Sequence, residues 1–180
     1  TNTLGIYRPG VNSVVRDNDI YVLEDDPSYN VCIEIGSPNV TIEDNYLNAD
    51  SAASGCMRGL DGANDLIINQ NKLVAPGLGA IDIHDGASGW TVQSNQVIDA
   101  DSLMYWRGTS SSDLIFDDNR GAEAERRSGS DRQVIDGWGT NDGDPSSTGE
   151  WNGEGREGVQ VRDTTGGNNY AFVDGDWRSL

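Results

Sequence analysis

Lysine is almost missing from this chain: Lys72 is the only one, and 12 basic residues stand against 30 acidic ones, a formal net charge of −18. A surface this negative repels phosphate backbones, which excludes nucleic acid as a partner. It also pushes a compact fold apart unless salt screens it, so a high-salt working environment is expected. Long hydrophobic runs are missing too. Residues of the AVILMFWYC set make up 35% of the chain and are scattered, leaving neither a membrane span nor a secretory signal segment. Histidine occurs once and cysteine twice, too few for the usual four-ligand metal site. Cys32 and Cys56 either form one disulfide in an oxidising compartment or remain two buried thiols. The chain opens at Thr1 rather than Met, so a processed product or a piece of something longer is expected.

What the chain does have is an internal repeat. Val40-Thr-Ile-Glu-Asp-Asn45, Leu66-Ile-Ile-Asn-Gln-Asn71, Trp90-Thr-Val-Gln-Ser-Asn95 and Leu114-Ile-Phe-Asp-Asp-Asn119 superpose, with a weaker first copy in Ser13-Val-Val-Arg-Asp-Asn18. The terminal asparagines Asn18, Asn45, Asn71, Asn95 and Asn119 are spaced 27, 26, 24 and 24 residues apart. Within each copy apolar side chains alternate with polar ones, the period of a strand. Ile20, Leu47, Leu73 and Val97 follow the asparagines by two residues, so each Asn marks a corner between short strands. An Asn there tolerates the left-handed backbone region, and stacked amides about 4.8 Å apart form a ladder. Gly10, Gly36, Gly62, Gly86 and Gly108 recur one corner earlier, where a positive φ is again expected. Three short strands and three turns fill each period, and such a unit buries its apolar face only by stacking on neighbours.

These features resemble the pectate-lyase-like family of right-handed parallel β-helices, in particular its Asn-laddered carbohydrate-binding and sugar-hydrolase repeats. The resemblance covers residues 4 to about 121. It implies an all-β fold: a right-handed parallel β-helix of about five rungs over residues 1–121, followed by a Gly- and Asp-rich cap over 122–180. Within that cap Val159–Val161 and Tyr170–Val173 flank Thr164–Asn169, a hairpin expected to cover the open last rung. No comparable cap precedes Gly5. The acid-rich, lysine-poor balance resembles proteins of extreme halophiles, and the whole implies an extracellular, cell-surface or virion-surface location.

In the resembled family substrates lie along the strand before the Gly turn. Alternation there turns Ile33 and Ile83 inward and Glu34, Asp82 and His84 outward, with Arg58 beside Asp82 and Arg8 below Glu34. In the fifth rung either Tyr105 and Arg107 or Met104 and Trp106 face out. Glu34, Arg58, Asp82 and His84 are the catalytic candidates; Arg8, Tyr105, Trp106 and Arg107 are the substrate-binding ones. Arginines there neutralise a uronate carboxylate and acidify the adjacent C–H, while His84 or Tyr105 moves the proton. Two of Glu34, Asp61, Asp82 and Asp85 acting across a sugar describe hydrolysis instead. Asp82-Ile-His84 is also similar to the Asp-x-His element of alginate C5-epimerases, although Gly79 stands where that family has Tyr. Trp90 and Phe116 read as core, and Trp106, Trp138 and Trp151 as sugar platforms. Asp142-Gly-Asp144-Pro-Ser146 with Glu150 has the alternating oxygens of a Ca²⁺ loop, without EF-hand spacing. No other cofactor is expected.

Two functions fit. One is a carbohydrate-binding or carbohydrate-active β-helix working on an acidic or surface polysaccharide. The other is a non-catalytic structural or receptor-binding module, such as a virion spike or adhesin, built as a homotrimer or larger assembly. In the first, Asp82, His84 and Arg58 converge on a groove with His84 Nε2 accessible; in the second, that face is buried or flat.

Overall fold

The computed structural model describes residues 4–22, 31–49, 55–107, 112–122, 133–141, 143–149, 151–152, 155 and 157–180. It is a parallel β-solenoid of about five turns, with strands and turns and no helix among those residues. Among the described residues no helix is long and apolar enough to cross a membrane. The first rung contributes β1 (Leu4–Tyr7), β2 (Val14–Arg16) and β3 (Asp19–Tyr21), and the second β4 (Val31–Ile35), β5 (Thr41–Glu43) and β6 (Tyr46–Asn48). Next come β7 (Met57–Gly59), β8 (Ile67–Asn69), β9 (Lys72–Ile83), β10 (Thr91–Gln93), β11 (Gln96–Trp106) and β12 (Leu114–Asp117). β9 and β11 each run through a corner, so one strand serves two faces of the solenoid.

Each face is a parallel ladder, its register shifting only where β11 pairs with β9 between Val97 and Asp99 and between Ala100 and Ser102, and the apolar side chains form columns. Ile6, Ile33, Met57, Ile81 and Met104 stack on the first face. Val15, Ile42, Ile68, Val92 and Phe116 stack on the second, and Ile20, Leu47, Leu73 and Val97 on the third. Together they make one continuous buried core. Trp90 lies wholly inside it and donates its indole N–H to the Ala63 carbonyl. It reaches across to Gly59 on the opposite wall, where any Cβ would collide with the ring, so the glycine exists to make room.

The asparagines form the corner between the second and third faces. Nδ2 of Asn18, Asn45, Asn71 and Asn95 donates to Oδ1 of the next Asn at 2.9, 3.0, 3.0 and 2.9 Å. The backbone N–H of the same four donates to the same oxygens. The left-handed residue is not the Asn but the one before it: Asp17, Asp44, Gln70, Ser94 and Asp118 all have φ between 47° and 58°. Taking the bend one residue early leaves each amide pointing into the stack. The glycine column behaves unevenly. Gly62 and Gly86 have positive φ, Gly10 and Gly36 do not, and Gly108 lies outside the described residues. A second left-handed column instead precedes the second face, through Asn12, Asn39, Asp65, Gly89 and Asp113.

Cys32 and Cys56 are free, buried thiols. Cys56 Sγ donates to the carbonyls of Leu47 at 3.4 Å and Val74 at 3.3 Å. Burial, then the neighbouring Cys32, pushes its pKa well up. Neither thiol is expected to react with an aromatic disulfide reagent until the solenoid opens. Labelling rates should therefore follow urea-induced unfolding, and rapid labelling of the native protein would refute this.

After the solenoid come β13 (Gln133–Ile135), β14 (Trp138–Asn141), β15 (Gln160–Asp163), β16 (Asn169–Val173) and β17 (Asp176–Ser179). The β15–β16 hairpin is present as expected, but it does not cover the last rung. β13 does so on the second face, pairing parallel with β12, and the remaining strands extend that sheet outward to ten. Two further hairpins turn at Asp136-Gly137 and Asp174-Gly175, with positive φ at both central positions, as a type I′ turn demands. The buried side of the sheet changes over as it leaves the solenoid. Phe116 faces the core, but its row continues through Ile135 to Trp138 and Gln160. The opposite row, Ile115, Val134, Gly139 and Val161, carries a second cluster closed by Trp151 and Trp177.

Candidate functional site

Strand alternation on the first face puts Tyr7, Glu34, Arg58, Asp82 and Tyr105 in one outward row, each paired with the next by register. Arg8 follows Tyr7 by one residue, and His84 and Arg107 follow Asp82 and Tyr105 by two. The side chains close into a line of alternating charge. Arg8 Nε donates to Glu34 Oε1 at 3.0 Å, and Arg58 lies between Glu34 and Asp82 at 3.5 Å from each. Arg107 Nε donates to Asp82 Oδ2 at 2.6 Å. Both outer arginines fold over their tyrosine neighbours, Arg8 at 4.9 Å from the Tyr7 ring centre and Arg107 at 5.2 Å from that of Tyr105.

The row points outward, yet its middle is not open. Glu34, Arg58 and Asp82 are 6%, 5% and 1% exposed. Arginine stems from neighbouring rungs lie across the carboxylates, so an outward direction does not mean contact with water. The rim is open: Tyr105 is 51% exposed, and Arg107 and Arg8 are about half exposed. The fifth rung thus turns Tyr105 and Arg107 out. Met104 goes into the core, and Trp106 packs edge-on against Phe116, which leaves Tyr105 to present a ring face.

His84 Nε2 is turned to Asp82 Oδ2 at 3.7 Å, beyond hydrogen-bond reach, and is buried rather than accessible. Asp82 Oδ1 is also buried without a hydrogen-bond partner. Burial pushes the Asp82 carboxyl up, and Arg107, His84 and Arg58 offset this only in part. A buried carboxylate with one idle oxygen, beside an imidazole with an idle nitrogen and below an exposed Tyr–Arg pair, is an arrangement able to hold or move a proton. Asp61 and Asp85 are exposed and stand apart from this line.

Of the expected Ca²⁺ loop, Asp142 and Glu150 lie outside the described residues. Asp144 Oδ1 accepts from Ser146 N at 2.8 Å and Ser146 Oγ at 2.6 Å, bonds that lower its pKa and close a turn. No group of three or more His, Cys, Asp or Glu suited to a metal occurs among the described residues. Trp151 is buried in the second cluster, edge-on to Trp177. Trp138 instead lines an open depression of about 620 Å³ with Thr140, Arg162 and Asn169, which no local sequence pattern announces.

No protein-family model, curated protein or solved structure matches the chain.

Proposed function

We propose that the chain is a carbohydrate-active β-solenoid that recognises an acidic polysaccharide along its first face and carries the Asp82–His84 pair as its proton-transfer centre. The pectate-lyase-like affiliation and an extracellular or virion-surface setting in high salt belong to the same proposal. One observation carries it: exposed Tyr–Arg pairs bracket a buried charged row in which Asp82 Oδ1 and His84 Nε2 have no hydrogen-bond partner. Hydrolysis by paired carboxylates fits less well, because Arg58 fills the space between Glu34 and Asp82 that a sugar and water need.

Elimination fits better. Arg107 neutralises the uronate carboxylate, and His84, its Nε2 facing Asp82 at 3.7 Å, takes the adjacent proton through Nδ1. The C–H electron pair becomes a ring double bond, the glycosidic C–O bond breaks, and Tyr105 protonates the departing oxygen. The test is incubation with polygalacturonate and alginate in molar salt, following ultraviolet absorbance of unsaturated ends. A signal that falls about 100-fold or more in His84→Gln is expected. No absorbance change and no new reducing ends would overturn the enzymatic reading.

A non-catalytic module is the second reading, favoured by the burial of three alternating charges that staple adjacent rungs. It predicts no turnover, and a trimer or larger assembly by light scattering.

A further inference from the structure

The sheet that leaves the solenoid carries a feature the first face does not explain. Where the buried side changes over, Trp138 remains 38% exposed on the side opposite the second hydrophobic cluster. Register places Thr140 opposite Arg162 and Arg162 opposite Asn169, so Trp138, Thr140, Gln160, Arg162 and Asn169 share one face. The depression of about 620 Å³ is lined by Trp138, Gly139, Thr140, Arg162, Gly167 and Asn169. Among the described residues that line it there is no carboxylate and one guanidinium.

We propose that this depression is a second saccharide site, which takes an acidic sugar residue with its ring on Trp138 and its carboxylate on Arg162. Trp138 and Arg162 are diagonal neighbours on paired strands, about 7–8 Å apart along the backbone, a span suited to one sugar ring and its carboxylate. The indole offers an apolar face to the C–H groups of the ring. Arg162 offers a planar fork to a carboxylate, and the Asn169 amide and Thr140 hydroxyl meet hydroxyls. The Arg162 guanidinium gives the described part of the lining a positive charge that matches an anionic ligand. A second site on the same chain raises avidity for a long polymer, since the second contact is intramolecular. The inference rests on the acidic-polysaccharide reading but not on the Asp82–His84 chemistry.

The test is calorimetric titration of the intact chain in molar salt with a short oligogalacturonate and with a neutral cello-oligosaccharide. Trp138→Ala should weaken oligogalacturonate binding by about tenfold or more, with its unfolding midpoint unchanged. Arg162→Gln, a change at an exposed position, should abolish the acidic preference of this second site and leave only that of the first face. Unchanged affinity in Trp138→Ala, or no preference for the acidic oligomer in the parent, overturns the second site. Failure of turnover with binding intact overturns only the enzymatic reading.

Discussion

Asn71→Ala is expected to lower stability by about 4–6 kcal/mol, a large part of the roughly 5–15 kcal/mol that holds a domain folded. Asn71 is wholly buried, and its Oδ1 accepts from both Asn45 N and Asn45 Nδ2 at 3.0 Å. Its Nδ2 donates to the Ile42 and Asn69 carbonyls and to Asn95 Oδ1, at 2.9, 2.8 and 3.0 Å. Alanine strips two donors on Asn45 of their acceptor and removes the amide donor to three acceptors, of which Asn69 O keeps Asp44 N and Asn95 Oδ1 keeps the backbone N–H of residue 71. Each orphaned buried group costs about 1–3 kcal/mol. Asn71→Asp keeps an acceptor but loses the donors and buries a charge, so it should be no better. Asn18→Ala is the control. Asn18 is half-buried and donates to Arg16 O and Asn45 Oδ1, so a loss of about 1 kcal/mol is expected. Urea unfolding monitored by circular dichroism measures all three. A loss below about 1.5 kcal/mol for Asn71→Ala would mean the ladder is not what holds the rungs in register.

The same chemistry explains why the solenoid could be read from the chain and other features could not. A ladder position needs a short side chain that accepts and donates at once, at a spacing of about 4.8 Å, and asparagine answers that need in every rung. One letter therefore recurs, and the period is visible. The left-handed corner before it asks only for tolerance of positive φ, and Asp, Gln and Ser all serve, so the column through Asp17, Asp44, Gln70, Ser94 and Asp118 hides in mixed letters. Alternation told which way Glu34, Arg58 and Asp82 point, but their burial depends on stems arriving from neighbouring rungs. Likewise nothing local separates Trp151 from Trp138. One is core and the other exposed because the sheet changes its buried side between β12 and β14. The Asp-Gly turns at 136–137 and 174–175 carry a hairpin signal of their own, legible once strands are sought beyond the repeat.

Arg58→Ala should cost about 3–5 kcal/mol at neutral pH, because it leaves two carboxylates buried with their central counter-charge gone. Glu34 keeps Arg8 and Asp82 keeps Arg107, but both outer arginines are about half exposed and screened by water. The deficit should shrink as pH falls. Asp82 already has a raised pKa from burial, and losing Arg58 removes one of the groups that hold it down. A carboxyl whose folded pKa exceeds its unfolded value near 3.9 binds protons more readily in the folded state. Its contribution to stability is then fully present below that value and is lost as pH rises through the folded pKa. The variant should therefore approach the parent as pH falls through the raised folded pKa of Asp82 toward the unfolded value near 3.9. Replacing Glu34, Arg58 and Asp82 together by Leu, Met and Leu removes every charge from the buried stretch, and the exposed Arg8 and Arg107 lose little. That triple variant should be close to the parent in stability or exceed it, while losing any turnover that depends on Asp82. A triple variant as unstable as Arg58→Ala would show that the row contributes net stability rather than holding charges in place for use.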